Sequence, residues 1–380
     1  MGVLSFGRGG SPVGLDIGSN SIHAAQLKGA GTQFSLTRYG SIRIPMGAVV
    51  EGEVVDAEAV GHSISQLWRR AGMSEKSVIT GVANQKVVVR MVEFPWMEKA
   101  DLDGAIRFQS QDYIPIPIEE AILDYEVLGE YTNVNDERMV EVLLVAAQRD
   151  MIGNHLAAIE RAGLKPRIID ASAFAIVRSL MDNDESVLPP EDEGEIADAT
   201  GIIHVSAGLT IIVVVEKGRP RFTRVSSLAG NDFTQSVADS LNLTFDEAED
   251  LKMAAGLPPL GGDERLPAGF PVEKQELGDA AQEILERQVS KFIAEIRRSL
   301  DYYLTQATQM RAIRRLILSG GGANLMNLDS YLEKGLQAEV EMGRPLRAVK
   351  LQPNISAEDV STDELAMPVC LGLAMRGLQQ

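Results

Sequence analysis

Val13-Gly-Leu-Asp-Ile-Gly-Ser-Asn-Ser-Ile22 is followed by Ala24-Ala-Gln-Leu27, a glycine-rich turn at Gly29 to Gly31, and Phe34-Ser-Leu-Thr-Arg38. Apolar runs separated by glycine and serine predict a β-hairpin with a glycine bend before its second strand. The same grammar returns far downstream. Gly201-Ile-Ile-His-Val-Ser-Ala-Gly-Leu-Thr210 leads into an apolar run at Ile211 to Val215, a turn at Glu216-Lys-Gly-Arg-Pro220, and Arg221-Phe-Thr-Arg-Val225. Aligned without gaps, Asp16 falls on His204, Ile17 on Val205, Gly18 on Ser206, Ile22 on Thr210 and Phe34 on Phe222. An echo at half-chain distance predicts two related lobes, not a short-period solenoid.

The chain has 380 residues, 45% hydrophobic and 24% charged, which leaves room for two or three domains with real cores. Its net charge of −18 repels phosphate backbones and anionic membrane surfaces, so nucleic acid is disfavoured as the main partner. The single cysteine, Cys370, excludes an internal disulfide. His23, His62, His155 and His204 have none of the spacings that build a zinc site. The longest aliphatic run, Ile211 to Val215, is far below the roughly 20 residues of a membrane-spanning helix. With no signal-peptide pattern at the start, a cytosolic protein is expected.

Between the two hairpin units, Asp182-Asn-Asp-Glu-Ser and Pro189-Pro-Glu-Asp-Glu-Gly-Glu195 read as a solvated inter-lobe connection. The stretch from about Glu93 to Leu164 has its own pattern. A helix from Lys99 carries Leu102, Ala105, Ile106 and Tyr113 and is stopped by Ile114-Pro-Ile-Pro117. Strands at Ala121 to Leu128 and Val140 to Ala147 and a helix from Asp150 to Ala162 complete a small α+β insert. From Gln282 to Leu304, apolar residues at helical spacing predict a long helix that feeds a strand at Ile313 to Leu318. That strand ends in Ser319-Gly-Gly-Gly-Ala-Asn-Leu325, where backbone amides are able to meet a phosphate or nucleotide.

Glycine-bearing turns therefore lie beside apolar strands at Gly14 to Ser21, His204 to Thr210 and Ser319 to Asn324. A P-loop needs Gly-Lys-Ser/Thr, a tripeptide absent from the chain. A dinucleotide fingerprint at Gly320-Gly-Gly-Ala-Asn-Leu fails at its last glycine, where Leu325 stands, although Glu339 and Glu341 lie near the distance of a ribose-binding acid.

Gly14-Leu-Asp-Ile-Gly-Ser-Asn-Ser resembles the first phosphate motif of the actin, Hsp70 and sugar kinase superfamily. His204 to Thr210 resembles its second phosphate motif, and Leu318-Ser-Gly-Gly-Gly-Ala-Asn its adenosine motif. Phe245-Asp-Glu-Ala-Glu-Asp-Leu-Lys252 is similar to the helix that borders adenine and ribose in FtsA and MreB. Phe94-Pro-Trp-Met, Asp112-Tyr-Ile-Pro-Ile-Pro117, Val145-Ala-Ala-Gln-Arg149, Gly163-Leu-Lys-Pro, Asp170, Gly230-Asn-Asp-Phe-Thr and Gly372-Leu-Ala-Met-Arg-Gly377 resemble the PilM family of type IV pilus assembly proteins over nearly the whole chain.

That resemblance implies an actin-like, ribonuclease H-like α/β fold of two lobes, with an inserted α+β subdomain as in FtsA. The implied layout is a first lobe in 1–92, the insert in 93–165, a return and connection in 166–200, a second lobe in 201–345 with a subdomain at about 226–310, and a return in 346–380. It implies ATP and Mg2+ in the cleft. Asp16 would hold the metal, and Gly18, Ser19, Asn20, Ser21 and His23 would meet the phosphates. Ser206, Ala207, Gly208, Thr210 and Gly230 would complete the phosphate site. Glu249 and Lys252 would flank ribose and adenine, with Gly320, Gly321, Gly322 and Asn324 beside the adenosine. Asp16 and His204 would be the catalytic pair.

Two departures bear on catalysis. The second phosphate motif ordinarily opens with an aspartate where His204 stands, with Ser206 in place of a glycine, and the first commonly carries a lysine at the position of His23. Histidine is a poor magnesium ligand, so ATP binding with weak or absent hydrolysis is expected. The family also implies a partner, the cytoplasmic N-terminal tail of the inner-membrane protein PilN, in a groove between first lobe and insert. Candidate groove residues are Ile106, Tyr113, Ile114 and Pro115, and an acidic chain suits a basic tail. The expected place is the cytoplasmic face of the inner membrane, held there through protein partners. The alternatives are a polymerising FtsA-like protein, whose C-terminal amphipathic helix is not matched at Arg376-Gly-Leu-Gln-Gln380, or a small-molecule kinase with Asp170 or Asp232 as base.

Overall fold

The computed structural model describes residues 11–31, 33–181, 197–261, 266–306 and 311–378. The acidic connection expected at 182–195 lies outside them.

The opening hairpin pairs β1 (Val13–Ile17) with β2 (Ser21–Ala30), and β3 (Gln33–Arg43) follows antiparallel to β2. A short ribbon of β4 (Val49–Val50) and β5 (Glu53–Val54) leads to α1 (Ala57–Arg70). Asp56 caps that helix by accepting from the amides of Glu58 and Ala59, which would otherwise lack partners. β6 (Ser77–Val82) then lies parallel to β1.

The insert comprises β7 (Val88–Pro95), α2 (Lys99–Tyr113), β8 (Ala121–Thr132) and β9 (Arg138–Gln148). Its antiparallel sheet runs β7-β9-β8 and starts at Val88 rather than near 93. α2 closes one face, burying Leu102 and Ile106 against Phe94, Val140, Val142 and Leu144. It stops at Tyr113 because Pro115 forces Ile114 out of the helical region, to φ −118° and ψ 117°. The chain returns through α3 (Arg149–Arg161), which lies against α1, to β10 (Lys165–Ala171) beside β6 and then α4 (Ser172–Leu180).

The second lobe repeats the plan. β11 (Ala197–Val205), β12 (Thr210–Glu216) and β13 (Arg219–Ser226) form an antiparallel meander, followed by α5 (Gly230–Leu241), α6 (Phe245–Ala255) and α7 (Gln275–Gln306). β14 (Arg311–Ser319), α8 (Leu328–Leu336) and β15 (Glu339–Met342) complete it. β16 (Val349–Leu351), α9 (Ala357–Asp363) and α10 (Pro368–Arg376) return to the first lobe, where β16 pairs with β3.

Strand order shows the internal echo. The first sheet runs β10-β6-β1-β2-β3-β16 and the second β13-β12-β11-β14-β15, so each has a three-strand meander with two parallel strands added beside its first strand. Ile17 pairs with Ile22 as Val205 pairs with Thr210, and Asp16 with His23 as His204 with Ile211. The match of Phe34 to Phe222 does not hold. Phe222 sits opposite Val214, where the first lobe has Arg38 opposite Gln26, because β2 runs on to Ala30 before its turn and the first hairpin is longer.

α4 and α10 fill the space between the sheets. Ala173, Ile176 and Val177 of α4 and Val369 and Leu373 of α10 share one apolar cluster with Ile202, Ile211, Val213 and Ile317 of the second sheet. The second lobe has its own core under α5 to α8, with Phe233 and Phe292 packed edge to face at 5.5 Å. No helix among the described residues is long and apolar enough to cross a membrane.

Candidate functional site

Both hairpin turns and the turn after β14 open onto one cavity of about 300 Å³ between the lobes. Asp16, Gly18, Ser19, Asn20, Ser21 and His23 line it from the first lobe, and His204, Ser206, Ala207, Gly230, Glu249, Lys252, Gly321, Gly322 and Asn324 from the second. Residues of the two lobes more than 180 apart in sequence therefore meet at one cavity.

Three residues expected here do not line the cavity. Gly208 lies where the lobes touch, and a Cβ there would come within 2.2 Å of Ser19 Oγ. Thr210 is fully buried and donates to the Leu228 carbonyl at 2.8 Å. Gly320 serves the backbone: its φ of +89° favours glycine, its amide donates to the Leu365 carbonyl, and a Cβ would collide with the Val205 backbone at 2.2 Å.

Conversely, Arg43, Met253, Thr362, Asp363 and Ala366 line the cavity without a local motif announcing them, whereas Asn231, Phe233 and Leu325 line it from within motifs quoted above. Asn231 carried a signal within Gly230-Asn-Asp-Phe-Thr. Asp363 arrives at the end of α9, more than 300 residues from the hairpin it joins.

The wall offers anions unengaged amides. α5 docks its first turn on the second hairpin, Gly230 N–H donating to Ser206 O and Asn231 N–H to Ala207 O. The Ser206 hydroxyl and the Leu209 backbone close the turn on themselves. The amides of Ser19, Asn20 and Ala207 make no hydrogen bond within the described chain. Such amides suit phosphate oxygens.

The two residues at equivalent strand positions differ in charge chemistry. Burial pushes Asp16 up to about 7, and no side-chain hydrogen bond offsets it. Burial pushes His204 down to about 4, with His23 adding to the effect, and His204 Nδ1 sits 3.0 Å from Ser319 Oγ. At these two positions the cavity thus holds a carboxyl group, Asp16, that no counter-charge or side-chain hydrogen bond supports, and a neutral imidazole, His204. A carboxylate so placed fits a magnesium ion, which binds through one or two carboxylates, ligand phosphates and water. Among the described residues no group of three His, Cys, Asp or Glu side chains forms an all-protein metal cage.

At the other end, Lys252 is buried, with Nζ 2.7 Å from Glu249 Oε2 and 2.9 Å from Thr234 Oγ1. The capping box of Thr244 and Glu247 fixes the start of the α6 helix that carries both Glu249 and Lys252. Both residues line the cavity, together with Met253, Asn324 and Leu325.

The four groove candidates separate. Ile106 and Ile114 are closed inside the insert core, at 1% and 4% exposure, so neither is free to touch a partner. Helical spacing identified an apolar face without saying what covers it, and the insert's own sheet does. Tyr113 and Pro115 are exposed, as is Phe108 one turn earlier.

A family model described as type IV pilus assembly protein PilM matches residues 14–265 and 268–378. The cell division protein FtsA of Streptococcus pneumoniae serotype 2 is 24% identical over 384 residues, covering 94% of this chain and 80% of that protein. Among solved structures, a PilM–PilN type IV pilus biogenesis complex superposes with a TM-score of 0.80 at 27% identity, over 97% of this chain and 99% of that one. MreB5 of Spiroplasma citri bound to ADP superposes with a TM-score of 0.52 at 15% identity, over 95% and 94%, a likeness of fold. With two sheets of matching order around a shared cleft and a family match spanning that cleft from β1 to α10, the chain belongs to the PilM family of type IV pilus assembly proteins and has the actin-like fold.

Proposed function

We propose that this chain is a nucleotide-binding assembly factor of a type IV pilus, docking the cytoplasmic N-terminal tail of a PilN-type inner-membrane partner. The pilus and partner assignment is carried by the family match and by the likeness to PilM in its complex with PilN. The nucleotide assignment is carried by the convergence of three glycine-bearing turns on one cavity with unengaged amides and an unpaired carboxylate. ATP is the ligand these features suit, with Mg2+ beside Asp16. When bound, the metal would supply charge neutralisation between that carboxylate and the phosphates.

Hydrolysis is slow on this reading. A neutral His204 stands where an aspartate would orient a metal-bound water, so the cleft acts as a switch more than as a catalyst. The exposed edge at Tyr113 and Pro115 is the candidate for contact with a basic tail, to which the charge of −18 is complementary. Attachment to the inner membrane through that partner follows.

Calorimetric titration with ATP, with and without magnesium, tests the cleft, and titration with a PilN-type tail peptide tests the docking. Micromolar ATP binding that weakens without magnesium is expected, and no heat in either titration overturns the assignment. A polymerising role is the second reading, favoured by the 24% identity to FtsA over 94% of the chain. Sedimentation in the presence of ATP separates it, since a switch stays in the supernatant and a filament pellets.

A further inference from the structure

Three hydrogen bonds run in series from the cavity wall through the first lobe and back to the cavity. Ser21 Oγ lies 2.9 Å from His23 Nε2, His23 Nδ1 lies 2.9 Å from Tyr39 Oη, and Tyr39 Oη lies 2.7 Å from Asp363 Oδ2. The members come from β2, β3 and the end of α9, and Ser41 Oγ adds a second donor to the same Asp363 oxygen at 2.8 Å. Ser21, His23 and Asp363 line the cavity, and Tyr39 does not.

The direction of every bond in this chain follows from its last member. A carboxylate accepts and has nothing to donate, so the Tyr39 hydroxyl gives its proton to Asp363. Burial, helped by Cys370 and Asp363, pushes the Tyr39 hydroxyl far up, so that proton stays on tyrosine. With its proton committed, Tyr39 Oη accepts from His23, whose Nδ1 must carry a hydrogen. Burial also holds His23 down, against the pull of Asp363, so the imidazole is neutral and its Nε2 is bare. Bare Nε2 accepts from the Ser21 hydroxyl. The proton of Ser21 therefore points away from the ligand.

We infer that Asp363 is a positioning residue for the phosphate end of the cleft: through Tyr39 it fixes the His23 tautomer, and so makes Ser21 Oγ an acceptor toward the ligand. A serine in that state complements a ligand donor, such as cation-bound water or a hydroxyl. A bare phosphate oxygen is left to the amides of Ser19 and Asn20. The inference rests on reading the cleft as a nucleotide site, but the tautomer itself does not.

The test is a long-range nitrogen–proton correlation spectrum of the full chain labelled with ¹⁵N-histidine, without nucleotide, with His23→Gln identifying the signal. The expected result is a single neutral His23 tautomer with hydrogen on Nδ1. In Tyr39→Phe, Nδ1 has no acceptor, and the hydrogen should move to Nε2. In Asp363→Ala the preference should be lost and the two tautomers mix. Magnesium–nucleotide affinity should fall in both variants, by about three- to tenfold, and more than affinity without magnesium. An effect of Tyr39→Phe has to travel through His23, because Tyr39 does not touch the cavity.

A wild-type spectrum with hydrogen on Nε2, or an unchanged His23 signal in both variants, overturns the inference. Lower melting temperatures with the tautomer intact would mark Tyr39 and Asp363 as structural only and would overturn it too. If the spectra are as expected and no nucleotide binds, the relay stands and the assignment of the cleft falls.

Discussion

Asn20 and Asn231 exchange two hydrogen bonds across the cleft, 2.8 Å from Asn20 Nδ2 to Asn231 Oδ1 and 3.0 Å in the return direction. One belongs to the turn between β1 and β2 and the other to the first turn of α5, so the pair ties the lobes together at the cavity wall. Beside it Ser19 meets Gly208 with no room for a side chain. Access to the cavity and separation of the lobes are therefore coupled at this latch.

Asn231→Ala should loosen that coupling. Each neutral hydrogen bond of this kind contributes about 1 kcal/mol net, so losing both favours the open cleft by about 2 kcal/mol. The expected outcome is nucleotide release faster by up to about thirtyfold, read by stopped-flow fluorescence, with little change in melting temperature. An unchanged release rate would mean that the shared core of α4 and α10 alone sets closure.

Gly208→Ala should act as a wedge. The new methyl would fall 2.2 Å from Ser19 Oγ and 2.8 Å from Ser19 Cβ, so the turns must part. Reduced nucleotide affinity with an intact fold is expected by calorimetry. The double variant Gly208→Ala with Ser19→Gly removes the obstructing side chain and should recover most of the loss. Failure of that rescue would show that the methyl harms the turn itself.

Much of this site was legible because its parts are local. The turn from Asp16 to Ser21 and its echo at His204 to Thr210 each carry their meaning in a few consecutive residues, and matching strand order brings them together. Lys252 and Glu249 share one helix face, so their pairing also follows from spacing. Asp363 and Arg43 reach the cavity through tertiary folding, and no spacing within their own segments places them there. Ile106 and Ile114 show the converse, since apolar periodicity on α2 marks a covered face whatever covers it. Phe34 and Phe222 misled because equal sequence offset ignored a longer hairpin.

Arg221 of β13 links the second lobe directly to the insert, with Nη1 2.6 Å from Glu141 Oε1 on β9 and Nε 3.5 Å from Glu216 Oε2. Arg221→Ala should free the insert from β13. The pair is about three-quarters shielded, which places its loss above a surface ion pair, at roughly 1–2 kcal/mol. Faster hydrogen exchange confined to β9 and β13 is expected. Exchanging the charges, with Arg221→Glu and Glu141→Arg together, should restore protection in part, because Glu216 would then oppose the new glutamate. Uniform exchange across the whole chain would instead indicate general destabilisation.

The unpaired carboxylate of Asp16 makes stability depend on pH in a direction opposite to that of most acids. Burial raises it from 3.8 to about 7, so between those values the folded chain holds a proton that the unfolded chain has released. Stability must then fall as pH rises through that window, by up to about 4 kcal/mol and less where water reaches the carboxylate, and level off above about pH 7. Buried His155 and His204, both pushed down to about 4, act the other way and cost stability as pH falls below 6.5. Comparing the wild type with Asp16→Asn at each pH isolates the carboxylate, because the histidines are common to both. The asparagine variant should melt higher at pH 8, and the gap should close towards pH 4. Adding ATP and magnesium should reverse the order at pH 8, since only the wild type offers the cation a carboxylate. A gap that stays constant with pH would show that Asp16 is already neutralised within the chain, and the place assigned to magnesium would have to be given up.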